Sequence, residues 1–231
     1  MIEKIKIWIN SDKRPFAQGF SFSKMYIIFI IGSFIGAMHE SIWGVIKRLY
    51  WYQKFVWTRH QGVIYGPFNP LYGAGIVLII MLLGKKKRTP FKTFYLGAIL
   101  GGMFEYIISF LMELVLRAKS WDYSSYFLNI NGRTTIPYML FWGLGIMLLI
   151  HFVYPILSKW IESIPKKIGD ILVIFLVIFM TFNMIISWTA LGRQVLRHKG
   201  YEPFTIIGEF YDKVYTDEFL KKIYRNMSFV K

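Results

Sequence analysis

Apolar residues run through this chain in long blocks and not in alternation. Met25 to Ile46 is broken only by His39 and Glu40 near its end. No Asp, Glu, Lys or Arg falls between Arg59 and Lys85, between Arg133 and Lys159, or from Ile171 to Gly192. Thr93 to Leu116 carries only Glu105 and Glu113. A helix needs about 20 predominantly apolar residues to cross the hydrocarbon of a bilayer. The blocks therefore predict about five transmembrane helices, near 25–46, 68–84, 92–116, 135–157 and 171–191. The runs are too long and too continuous for the strands of a membrane barrel. The expected fold class is all-α, a polytopic membrane helical bundle.

The second block is unlike the others. Gly62, Gly66, Pro67, Pro70, Gly73 and Gly75 crowd its first half, and such a stretch does not begin as an ordinary helix. Irregular backbone at membrane depth is tolerated only where protein or a wet cavity satisfies it. Residues 60–70 are expected to form an ordered or re-entrant segment leading into a helix from about Pro70.

Composition agrees with this pattern. Of 231 residues, 55% are hydrophobic and 18% charged, against about a quarter charged in a soluble domain. The apolar content excludes a disordered chain. The absence of cysteine excludes a disulfide scaffold, thiolate metal sites and thiol catalysis. The net charge of +15 is spread over loops, which argues against a nucleic-acid-binding surface.

Charge also suggests topology. The segments before span 1, between spans 2 and 3 and between spans 4 and 5 hold 13 Lys or Arg, including Lys85, Lys86, Lys87 and Arg88; the two loops on the other side hold 7. Basic residues favour the cytoplasmic side, so the N-terminus is expected inside, and the tail after Gly192, with 8 more, outside. Residues 1–24 are polar and basic, with no evident signal peptide. Their patch of Ile2, Ile5, Trp8 and Ile9 reads as a cytoplasmic amphipathic N-terminus. Residues 25–191 form the transmembrane domain, and 192–231 an interfacial amphipathic tail of one or two helices.

The polar residues inside the apolar blocks carry the functional lead. Glu105, Ser109 and Glu113 step by four, which places them on one stripe of a helix. A carboxylate at membrane depth is costly and faces a cavity or a partner. Arg133, Arg59 and His39 are the candidate partners of Glu105. The stripe fits either a substrate or ion site, or a structural ion pair, the second suiting Glu113 better. Glu40 and His39 are neighbours, but adjacent helical positions point about 100° apart, so they do not form a facing acid–base pair. Tyr65, Asn69 and Tyr72 would line the Gly/Pro segment. In the loop 119–133, Trp121 and Tyr123 suit headgroup level, Asp122 suits a turn cap, and Asn131-Gly132 suits a tight turn. Arg133 is able to hold a carboxylate or phosphate through two bonds. The candidate substrate-binding set is thus Glu40, Tyr65, Asn69, Tyr72, Glu105, Asp122, Asn131 and Arg133, expected on the non-cytoplasmic face. His151 reads as an interface residue, and Asn183, Ser187 and Thr189 as helix-to-helix hydrogen bonds. No nucleotide-binding loop, HExxH or GxSxG is present, and no metal or cofactor is expected.

The runs Gly62-Val63-Ile64-Tyr65-Gly66-Pro67-Phe68-Asn69-Pro70-Leu71-Tyr72-Gly73, Glu105-Tyr106, Trp121-Asp122-Tyr123-Ser124 and Asn129-Ile130-Asn131-Gly132-Arg133 resemble the bacterial family of type IV ABC-transporter permeases. The likeness covers about 30–230. His60-Gln61 and Arg225 depart from its pattern, which often has Asn-Arg and proline there. The resemblance implies a multi-pass permease in a bacterial cytoplasmic membrane, surrounded by lipid and working with a separate ATPase chain. An intramembrane enzyme or binding protein for a lipid or lipid-linked substrate is the alternative reading.

The topology is directly testable because the chain has no native cysteine. A single cysteine at position 86 is expected to resist an impermeant thiol reagent added outside intact cells and to react once the membrane is opened. Labelling from outside would invert the orientation.

Overall fold

The computed structural model describes residues 14–229. The amphipathic patch expected in residues 2–9 lies outside the described residues. Long helices follow the apolar blocks: α1 (Phe22–Tyr52), α3 (Pro90–Leu116), a rod made of α4 (Ile136–Leu148), a π-helical turn (Leu149–Val153) and α5 (Tyr154–Glu162), and α6 (Lys166–His198). By length and composition, these four are able to cross a membrane. Local signals set their starts. The side chains of Ser21, Thr89 and Thr135 cap the first turns of α1, α3 and α4, satisfying amides that have no partner within the helix. The π turn immediately precedes Pro155, which lacks the amide an α-helical turn needs.

The helix expected from about Pro70 is present: α2 spans Pro70–Leu83. At 14 residues, about 21 Å, it is short of a full span, so among the described residues four membrane-length helices stand where about five were expected. Pro67 and Pro70 cannot donate backbone hydrogen bonds and push the residues before them into extended conformations. Asn69 caps the helix through its side chain. The residues before Asn69 instead run as non-helical chain alongside α1, and 62–68 close into a loop through the Gly62 amide on the Phe68 carbonyl at 2.9 Å. Arg48 donates to the Thr58 hydroxyl at 2.6 Å, the His60 amide to the Ser41 hydroxyl at 3.0 Å, and the Asn69 amide to the Ser33 carbonyl at 2.8 Å. Ile80 then packs with Ile27 and Ile28, and Gly84 comes against the Phe20 ring. This segment and the half-helix together therefore retrace the length of α1, in the opposite direction.

Close packing makes this possible. A Cβ on Gly36 would meet the Tyr72 ring at 2.3 Å, and one on Gly73 would meet the Phe29 carbonyl at 2.3 Å. Small residues let membrane helices approach in this way. The backbone of the loop is satisfied by α6. Ser187 accepts from the Ile64 amide at 2.8 Å, and Asn183 accepts from the Tyr65 amide at 3.0 Å while donating to its carbonyl at 2.6 Å. The partner of Asn183 and Ser187 is thus a loop backbone and not another helix, as had been expected.

The bundle has two ends. One carries Ser21, Gly84 and Ser163, and is closed by Lys24, almost fully buried and paired with Glu162 and Ser158. The other carries the loop 117–135 and the tail. In that loop, Asn129–Ile130 (β1) pairs with Thr134–Thr135 (β2) around positive φ at Asn131 and Gly132. The tail folds as α7 (Ile206–Val214) and α8 (Asp217–Ile223) and docks on this end, with Tyr215 and Leu220 packed against Ile64 and Ala190. Arg193 grips Asp212 through two nitrogens (2.8 and 2.6 Å), and Arg197 reaches both Asp212 and Asp217 at 2.6 Å. The outward faces remain apolar: Phe175, Ile178, Phe182 and Ile185 of α6 are all more than half exposed, as lipid contact requires.

Two predictions follow from the clasp and the tail. Asn183→Ala strands the Tyr65 amide and carbonyl, so it should lower unfolding free energy by about 1–3 kcal/mol, read as a lower unfolding midpoint in mild detergent; an unchanged midpoint would contradict the clasp. The hydrogen bonds from Arg193, then Arg197, hold the Asp212 carboxyl below its usual range. Its contribution to tail docking is therefore complete above the unfolded carboxylate value of about 3.9 and is lost as pH falls through the lower folded value. Amide protection across 206–223, corrected for intrinsic exchange, should stay level from pH 7 to about 5 and fall only in stronger acid. Asp212→Asn should remove that acid step.

Candidate functional site

Glu105 is 9% exposed and sits near the middle of α3. Its two carboxylate oxygens meet three neutral donors: the Tyr123 hydroxyl at 3.0 Å, the Thr134 hydroxyl at 2.6 Å and the Trp142 indole at 3.4 Å. Each donor comes from a different element. Tyr123 is placed by the loop 120–128, where its ring stacks on Tyr138 with centroids 4.9 Å apart. Burial, followed by the charge of Glu105, raises the Tyr123 phenol well above its ordinary value, so it remains a hydrogen-bond donor throughout the physiological range. Thr134 belongs to the β2 strand that leads into α4, and Trp142 to α4 itself.

The second carboxylate is Glu40 on α1. It accepts from the Tyr72 hydroxyl at 2.9 Å. Tyr72 lies in the first turn of half-helix α2, and its ring approaches that of Trp142, with centroids 6.4 Å apart. Glu40, Tyr72, Trp142 and Glu105 thus form a continuous chain of contacts across α1, α2, α4 and α3. Among the described residues, neither carboxylate has an ion pair with Lys, Arg or His. The expected cationic partners of Glu105 are therefore corrected. Arg133 is held elsewhere, Arg59 is exposed at the surface, and the His39 side chain is exposed.

Arg133 pairs with Glu113 at 2.6 Å and reaches the Ser109 hydroxyl at 3.3 Å. Its guanidinium lies over the rings of Tyr106 and Phe110, and Trp121 donates to its carbonyl at 2.9 Å. The stripe read from the sequence is therefore divided: Glu113 and Ser109 anchor Arg133, while Glu105 turns to the neutral donors.

The other candidate residues fall outside this chain of contacts. The Asn69 side chain is occupied in capping α2 at 3.2 Å. Tyr65 points to the tail, its hydroxyl 2.9 Å from that of Tyr215. Asn131 donates to the Tyr106 hydroxyl at 3.0 Å. Asp122 accepts from the Ser124 amide and hydroxyl at 2.9 and 2.5 Å; these bonds, with Lys119 close by, pull its carboxyl down to about 2. It shapes the turn, as its type suggested. Trp142, Thr134 and Tyr123 were not among the candidates, though a buried indole N–H needs an acceptor, and that need could have linked Trp142 to the nearby carboxylate. His151, read as an interface residue, bonds to Thr93 at 3.0 Å between α3 and the π turn.

The described residues hold no group of three or more metal-ligand side chains. The chemistry available is that of two carboxylates on membrane-length helices, each met only by neutral donors: Tyr72 at Glu40, and Tyr123, Thr134 and Trp142 at Glu105.

Neither a curated protein nor a solved structure matches the chain. A family pattern described as "Putative ABC-transporter type IV" matches residues 27–188, from the start of α1 to the clasp on α6. That span holds Glu40, Tyr72, Glu105 and Trp142, and it ends just before the segment that binds the tail. With most of its length matched, this membrane protein belongs to the type IV ABC-transporter family.

Proposed function

We propose that the chain is the permease subunit of a transporter, driven by an ATPase carried on a separate chain, and that Glu40 and Glu105 receive its substrate. One observation carries the reading: two carboxylates on membrane-length helices with only neutral donors around them. Such groups are costly to keep in a bilayer, and a purely structural pair would be expected to gain a cation. A substrate bearing a cationic or hydrogen-bond-donating group would complete the site. Tyr72 and Trp142, lying between the two carboxylates, would pass it from one to the other.

Family membership supports the energy source, because this sequence holds no nucleotide-binding loop. The surface for the ATPase would be the end carrying Ser21, Gly84 and Ser163, where the turns 84–89 and 163–165 are short and Arg88 tucks against the Leu83 carbonyl at 2.6 Å. We place that end in the cytoplasm, in a bacterial cytoplasmic membrane, with the carboxylate site opening toward the other face. In this reading the partners are lipid and the ATPase, with no nucleic acid.

Gentle purification should recover an ATPase chain with the protein, and vesicles containing both should show ATP-dependent flux. Glu40→Gln and Glu105→Gln, each with an unchanged unfolding midpoint, should lower that flux at least tenfold. Wild-type flux in both variants would make the carboxylates structural. Recovery of the protein without any ATPase would remove the energy source.

A further inference from the structure

A concavity lies apart from the carboxylates, where the tail covers the segment before α2. It is a cleft of about 440 Å³, within the range of about 300–1,000 Å³ common for small-molecule sites. Arg59 comes to it from that segment, and Lys222 and Arg225 from the end of α8 and the residues after it. No acidic residue lines it, and none of the three cations forms an ion pair among the described residues. Glu218 lies in a shallower depression alongside, with Lys221.

The walls are aromatic and apolar: Trp57, Tyr65 and Phe219. Gln61 also lines the cleft, its side-chain amide donating to the Ile64 carbonyl at 3.2 Å.

The cleft is built before any ligand arrives. Arg48 holds the Val56 carbonyl at 3.1 Å and the Thr58 hydroxyl at 2.6 Å, which fixes the segment bearing Trp57 and Arg59. Asn226 bonds to His60 at 3.1 Å, and Tyr65 to Tyr215 at 2.9 Å, which joins the two walls. Its depth is also defined. The Ile64 floor is tied to Ser187 of α6, and the neighbouring Tyr65 backbone to Asn183. Ser187 is five residues before the charge-free run of α6 ends at Gly192, about 7 Å along the axis, so the floor lies beside the apolar run of α6.

We propose that this cleft binds the phosphate of an anionic amphiphile, with Arg59, Lys222 and Arg225 on the phosphate oxygens and the aromatic walls against the adjoining apolar body. Arginine recognises phosphate through paired donors and lysine as a point charge. The matching chemistry is a phospholipid headgroup from the surrounding leaflet or a soluble phosphate. The aromatic and apolar lining at Trp57, Ile64, Tyr65 and Phe219, beside the charge-free run of α6, favours the lipid. The tail residues that complete the cleft lie beyond the family-matched 27–188, so this site is independent of the transport reading.

The test is binding by the full chain in detergent, by native mass spectrometry, of dioleoylphosphatidylglycerol, dioleoylphosphatidylcholine and inorganic phosphate. Phosphatidylglycerol should be retained in preference to phosphatidylcholine. The triple variant R59Q/K222Q/R225Q should weaken it at least tenfold, while R59K/R225K, which keeps the charge but loses the paired donors, should weaken it by a smaller factor. K85Q/K86Q/K87Q, at the opposite end, should match the parent. Equal retention by the triple variant would overturn the proposal. Inorganic phosphate displacing the lipid at equal concentration would overturn the amphiphile assignment in favour of a soluble phosphate.

Discussion

Backbone amides and carbonyls cannot be left bare in hydrocarbon, where each unmet group costs several kcal/mol. Most of this chain meets that demand by forming long helices. Residues 58–69 do not, and the rest of the molecule is arranged around satisfying them. Ser33 and Ser41 of α1 serve one side, and Asn183 and Ser187 of α6 serve the other. Asn183 binds both the amide and the carbonyl of Tyr65, as a neighbouring β-strand would. The internal bonds from Gly62 to Phe68 and from Phe68 to Gly66 close the loop on itself.

Both candidate sites follow from that one element. Because the helix starts at Pro70, Tyr72 is in its first turn and faces Glu40 beside Gly36, the glycine that makes room for its ring. Trp142 then links this pair to Glu105. Because the chain is not helical before Pro70, Trp57, Arg59 and Gln61 are presented toward the tail, where α8 closes over them. A continuous helix from 58 to 83 would spread these residues around a cylinder and lose both arrangements. The tail is secured through Arg193 and Arg197, at the point where α6 leaves its apolar run.

Much of this was legible in the sequence. Apolar runs located the four long helices, and the crowding of glycine and proline located the break and its end at Pro70. Asn131-Gly132 marked the turn, and Asp122 its cap. The less legible part consists of pairings between distant segments. A stripe of Glu105, Ser109 and Glu113 gives their shared face but not which one Arg133 selects; that choice depends on the hairpin that positions Arg133 one turn nearer the helix end. Asn183 and Ser187 have the composition of ordinary helix-to-helix contacts, and only the path of residues 64–65 shows that they hold backbone. Lys24 looked like a surface charge that sets topology, yet it is buried against Glu162, because Glu162 arrives from 138 residues away.

Amide hydrogen exchange of the protein in lipid nanodiscs tests the central claim most directly. With the amides of Ile64, Tyr65 and Asn69 bonded to Ser187, Asn183 and Ser33, peptides covering 62–69 should exchange as slowly as the cores of α1 and α6, and Asn183→Ala should speed Tyr65 selectively. Exchange of 62–69 within seconds, at the rate of an open surface loop and unaffected by Asn183→Ala, would contradict the account.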